Sequence, residues 1–80
     1  MISTTEIKEK IKKKLNTTHL EVIDLRGGDH IQVIAVSPDF ENKTLIEKHK
    51  MIYDILAEEM KSNAIHALTL KTYEPGEWED

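Results

Sequence analysis

Residues 30–73 read HIQVIAVSPDFENKTLIEKHKMIYDILAEEMKSNAIHALTLKTY, and the change of apolar period along this stretch decides the fold. His30 to Val36 is rich in branched residues and reads as a strand, which Ser37-Pro38-Asp39 ends. Thr44 and Glu47 then form a capping box, and Leu45, His49, Ile52, Leu56 and Met60 recur on one helical face, flanked by Ile46 and Tyr53. The spacing predicts a helix over 44–61, closed by Ser62-Asn63. From Ile65 to Tyr73 the chain alternates, with His66, Leu68 and Leu70 on one face and Ala67, Thr69 and Lys71 on the other, as in a half-buried strand. A strand, a long crossover helix and a second strand make a right-handed unit with parallel strands. His30 and His66 open the two strands. If these are neighbours about 4.8 Å apart, the two histidines converge on one rim of the sheet.

Outward from this unit, Ser3 followed by Glu6 is a second capping box, and Ile7, Ile11 and Leu15 repeat at helical spacing, predicting an amphipathic helix over 4–15 with its lysines in water. His19 to Leu25 is another branched run. Arg26-Gly27-Gly28-Asp29 separates it from the strand at His30, so the two form a hairpin. Glu74-Pro75 suits the start of a last short turn ending near Trp78. The order α-β-β-α-β gives an α/β (α+β) chain: a small three-stranded mixed sheet with helices packed on one face, as a single domain over 1–80.

Eighty residues allow one small core, burying about 60–65% of the unfolded surface. At 39% hydrophobic and 32% charged, the composition is that of a globular chain rather than a disordered one. The absence of cysteine excludes disulfides, thiolate nucleophiles and a metal site built from the chain's own sulfur. With no apolar run of membrane-spanning length and no signal-peptide core, a cytoplasmic setting is expected. A net charge of −4 argues against tight non-specific binding to a phosphate backbone. The charge is uneven, however: Lys8, Lys10, Lys12, Lys13 and Lys14 crowd the first helix, while Glu74, Glu77, Glu79 and Asp80 load the tail.

Catalysis finds little support. No Gly-x-Ser-x-Gly elbow or phosphate-cradling glycine pattern is present, Gly27-Gly28 is accounted for by the hairpin, and the carboxylates are scattered over solvent-facing positions. An enzyme is not expected. Nucleic acid is the alternative, with Lys43, Lys48 and Lys50 as candidate phosphate contacts. The chain nevertheless lacks an aromatic pair at strand spacing to stack bases, and a Gly-x-x-Gly clamp.

The two rim histidines can bind metal as neutral imidazoles, although two ligands fall short of the four of a closed structural site. Spacing alone favours the plainer reading, a pair of rings that cap strands or pack at the core's edge. His66 is the stronger candidate, since it precedes two core-facing leucines, where a polar ring is costly unless partnered. His49, on the apolar face of the long helix, reads as a partly buried structural residue. His19 is given no role.

At these residues the sequence resembles the BolA family. The matching pieces are His30-Ile31-Gln32-Val33-Ile34-Ala35-Val36-Ser37, Phe40-Glu41-Asn42-Lys43, Lys48-His49-Lys50-Met51-Ile52-Tyr53, Leu56-Ala57-Glu58-Glu59, the run from Ile65 to Tyr73, and Pro75-Gly76-Glu77-Trp78. They cover nearly the whole chain in order. The resemblance implies a class II KH-like fold and partnership with monothiol glutaredoxins around a shared 2Fe–2S cluster. In that arrangement the glutaredoxin cysteine and glutathione supply thiolates. The family's C-terminal histidine ligand matches His66. Its second ligand, Cys or His in or beside the hairpin loop, corresponds here to His30, at the loop's edge. Two imidazoles with two thiolates make a Rieske-like set, whose potential lies above that of an all-thiolate cluster. The isolated chain is expected to carry no cofactor and to be a monomer or weak homodimer. The family's association with transcriptional regulation keeps DNA as the alternative partner.

Overall fold

The computed structural model describes residues 2–78, so Glu79 and Asp80 of the acidic tail lie outside the described residues. The elements are α1 (Thr4–Lys14), β1 (His19–Arg26), β2 (His30–Val36), α2 (Leu45–Ile55), α3 (Ala57–Lys61) and β3 (Ala67–Tyr73), with 3-10 turns at Pro38–Phe40 and Pro75–Glu77. Both expected capping boxes form. Ser3 Oγ accepts from the Glu6 N–H at 3.1 Å and Thr44 Oγ1 from the Glu47 N–H at 3.1 Å, while each glutamate reaches back to the cap N–H. These reciprocal bonds satisfy donors that a helix start otherwise leaves unpaired.

The sheet has the order β1-β2-β3. The β1–β2 hairpin is antiparallel, with an irregularity between Asp24 and Arg26 that displaces Leu25 outward. The pair β2–β3 is parallel, as the crossover requires, with His30 opposite Ala67 and Val36 opposite Tyr73. Ile31, Val33 and Ala35 of β2 point to the helical face, where they form one buried cluster with Ile7, Ile11, Leu15, Leu20, Phe40, Ile52, Leu56 and Ile65. The other face carries Glu21, Ile23, Gln32, Ile34, Thr69 and Lys71. At its far end the Trp78 ring lies 4.9 Å from His19 and 5.2 Å from Tyr73, over the row that contains the fully buried Val36.

Three expectations need correction. The long helix is not continuous over 44–61: Leu56 sits at φ −101°, ψ 18° between α2 and α3, although the 3.0 Å bonds from Leu56 N–H to Ile52 O and from Met60 N–H to Leu56 O carry helical hydrogen bonding across the break. The buried face of α2 is also rotated from the one through Leu45 and His49. It runs through Lys48, Met51, Ile52, Ile55 and Leu56, leaving Leu45 62% and Ile46 81% exposed. Lys48 fits this face because its four-carbon stem is buried while its amine emerges 3.4 Å from Glu77 Oε1. Finally, β3 begins at Ala67 rather than Ile65. Asn63, at φ +64°, ends α3 in the left-handed conformation that asparagine tolerates, and Ile65 fills the core before the strand starts.

Candidate metal-ligating rim

The hairpin loop sets the geometry of the rim. Gly27 and Gly28 adopt φ of +70° and +80°, and a Cβ on Gly27 would lie 3.3 Å from Asp29 Oδ1, so both the turn and the close approach favour glycine there. The Gly28 N–H donates to Asp24 Oδ1 at 3.1 Å, which closes the loop from its other side. Asp29 and His30 are thereby delivered to the edge where β3 begins. The Asp29 carbonyl accepts the His66 N–H at 2.8 Å and the Ala67 N–H at 3.2 Å.

The structure brings His30 and His66 together as the crossover argument requires. Their ring centroids are 5.5 Å apart and the planes are inclined by 54°. His66 itself is exposed and precedes the first paired residue of β3, so the expected cost of a core-facing ring does not arise: Ile65 holds the buried position instead. An imidazole nitrogen sits about 2.1 Å from a metal and its ring centroid about 3.2 Å away, so two rings at a tetrahedral angle to one ion lie about 5.3 Å apart. The observed separation matches, and the donor set fits a metal that takes two further ligands from elsewhere. Among the described residues no group of three or more His, Cys, Asp or Glu side chains is arranged to hold an ion.

Sequence reading missed Asp29, which it treated as part of the turn. Its Oδ1 accepts from His30 Nδ1 at 2.7 Å. This hydrogen bond holds the Asp29 carboxyl below the usual carboxylate range; partial desolvation opposes the shift, and the charges of His30 and His66 add to it. The available signal was an acidic residue directly before a histidine at the end of a tight hairpin.

The remaining histidines lie elsewhere. His49 is half-buried, with its Nε2 enclosed and unpartnered. His19 Nε2 donates to Glu21 Oε2 at 2.6 Å at the opposite end of the sheet. The candidate phosphate contacts are not equivalent either. Lys43 is exposed, Lys50 is exposed beside Asp54 at 3.0 Å, and Lys48 is buried and committed to Glu77. A surface depression of about 530 Å³ follows α1 past Lys10 to Glu59, and its lining includes neither His30 nor His66. No helix among the described residues is long and apolar enough to cross a membrane.

Residues 11–77 match the family model described as BolA-like protein. The chain is 41% identical to Protein BOLA2 of Arabidopsis thaliana, in an alignment covering 98% of this chain and 85% of that one. It is 36% identical to the DNA-binding transcriptional regulator BolA of Escherichia coli, covering 99% and 82% respectively. Among solved structures, the BolA domain of SufE1 from Arabidopsis thaliana superposes with a TM-score of 0.86 at 35% identity, covering 94% of each chain. On the family match, the identity to these relatives and the shared fold, the chain belongs to the BolA-like protein family.

Proposed function

We propose that this chain is a non-enzymatic partner of a monothiol glutaredoxin and that the two proteins ligate a 2Fe–2S cluster jointly. His66 and His30 are the ligands from this chain, and the glutaredoxin cysteine and glutathione supply the thiolates. The observation that carries the reading is the meeting of two imidazoles, 36 positions apart in sequence, at 5.5 Å on one open rim. A pair of nitrogen donors with room for two outside ligands suits a cluster shared between chains better than an ion held by this chain alone. Such a cluster, when bound, supplies one-electron chemistry or iron and sulfide for transfer, which makes assembly, transfer or iron and redox sensing the role. The proposed setting is the cytoplasm.

The test is to combine the protein with a monothiol glutaredoxin, glutathione, ferrous iron and sulfide, and to record absorption and circular dichroism. The expected result is a spectrum distinct from that of the glutaredoxin-only cluster. An identical spectrum would overturn the reading.

Similarity to the DNA-binding transcriptional regulator BolA of Escherichia coli favours a second reading, a transcriptional regulator that contacts DNA. Lys43 and Lys50 are available for phosphate, whereas Lys48 is held by Glu77. Tight, sequence-selective duplex binding by the isolated protein near physiological salt would put this reading first.

A further inference from the structure

We infer that Asp29 is a positioning residue that presents His30 Nε2 to the metal and ties the two histidine-bearing segments into one rim; the inference rests on the reading of His30 and His66 as ligands. An ionised carboxylate has acceptors and no donor. The 2.7 Å contact between Asp29 Oδ1 and His30 Nδ1 therefore places the ring proton on Nδ1, and in the neutral ring the free lone pair is left on Nε2. A carboxylate behind a ligating imidazole fixes its orientation and tautomer and raises its basicity as a donor.

The same residue acts on His66 through its main chain. Its carbonyl accepts both the His66 and Ala67 N–H groups, so the loop that orients one ring also anchors the backbone bearing the other. The positive φ at Gly27 and Gly28 shapes the turn, and the absence of a Cβ at Gly27, which would lie 3.3 Å from Asp29 Oδ1, leaves room for the Asp29 carboxylate. The carboxylate thus completes no ligand set of its own. It decides which nitrogen of His30 is available.

Because the carbonyl contacts belong to the main chain, substitution of Asp29 isolates the effect of the carboxylate. Two variants, Asp29→Ala and Asp29→Asn, are to be compared with the unmutated chain by ¹⁵N chemical shifts of the His30 ring in the protein alone. In the unmutated chain Nδ1 should read as protonated and Nε2 as free. Asp29→Ala should move the proton population toward Nε2. Asp29→Asn offers both a donor and an acceptor, keeps the loop's shape, and should fall between the two. In the complex with glutaredoxin, glutathione, iron and sulfide, Asp29→Ala should lower the chelator concentration that strips half the iron by about tenfold or more.

A His30 ring protonated on Nε2 in the unmutated chain, or a tautomer that does not respond to either variant, would overturn the inference. So would a changed tautomer with unchanged resistance to chelator. If the unmutated chain gives only the glutaredoxin-alone spectrum, the ligand reading fails and takes Asp29's role with it. If that complex is distinct and Asp29→Ala leaves it unaltered, Asp29's role alone is lost.

Discussion

His66 and its neighbour Ile65 divide two tasks at the entrance to β3. Ile65 is fully buried in the core cluster, whereas the His66 ring is exposed beside His30. Removing the imidazole should therefore leave stability within about 0.5 kcal/mol, as for a surface substitution, while Ile65→Ala should cost about 2–5 kcal/mol. Urea denaturation of the two variants measures this directly, and a large loss for His66→Ala would make the ring structural. The same variant should weaken the heteromeric cluster. The convergence of His30 and His66 is legible in the sequence because a parallel crossover leaves the two strand openings no other place than a shared end. Asp29 is not legible in the same way. Its part depends on the left-handed glycines and on the strand irregularity before Arg26, which set the direction of a side chain that periodicity does not address.

Along the elements, α2 shows where apolar periodicity points to the helix but not to its buried side. The capping box at Thr44 and the repeat that follows place the start correctly, and Asn63 marks the end. The face is misplaced because a lysine stem at Lys48 substitutes for an apolar residue, while Leu45, Ile46 and Tyr53 remain at the surface. Helix positions 48, 51, 52, 55 and 56 follow the i, i+3, i+4, i+7, i+8 pattern of a core-facing stripe. Ile52→Ala should accordingly destabilise by about 2–5 kcal/mol and Ile46→Lys by less than about 0.5 kcal/mol. Lys48→Met keeps the buried stem and loses only a 3.4 Å contact with Glu77, whose own side chain is half exposed, so thermal melts should place it close to the unmutated chain. A severe loss in Ile46→Lys would restore the face read from the sequence, on which Ile52 also lies.

For the molecule as a whole, the acidic and basic groups are less evenly solvated than the sequence suggests. Lys10 of α1 meets Glu59 of α3 through two contacts, at 2.8 and 2.9 Å, across 49 positions of sequence, and so ties the first helix to the end of the crossover. No local pattern announces a pair so far apart. Burial tends to raise the Glu59 carboxyl, but the hydrogen bond from Lys10, a backbone hydrogen bond and the lysine's charge outweigh it and hold the group below its ordinary value. The Glu59 hydrogen bond raises Lys10 in turn, against some desolvation. A depressed carboxylate stabilises the fold above its unfolded value of about 4.3 and loses that contribution as pH falls through the folded one. A raised lysine stabilises below about 10.4 and loses its contribution as pH climbs through the folded value. Glu47 and Glu77, held low chiefly by the backbone N–H groups of Thr44 and Glu74, carry the same sign as Glu59. Stability measured by urea midpoint should therefore be flat through the neutral range and decline below about pH 4. Glu59→Gln should lie beneath the unmutated curve at neutral pH and meet it at the acid end, because protonation of Glu59 removes from the unmutated chain the ion pair that the variant already lacks. Lys10→Met should show the corresponding convergence at the alkaline end. Curves for Glu59→Gln and the unmutated chain that stay parallel down to pH 2 would show that the tie between the helices contributes through packing rather than charge.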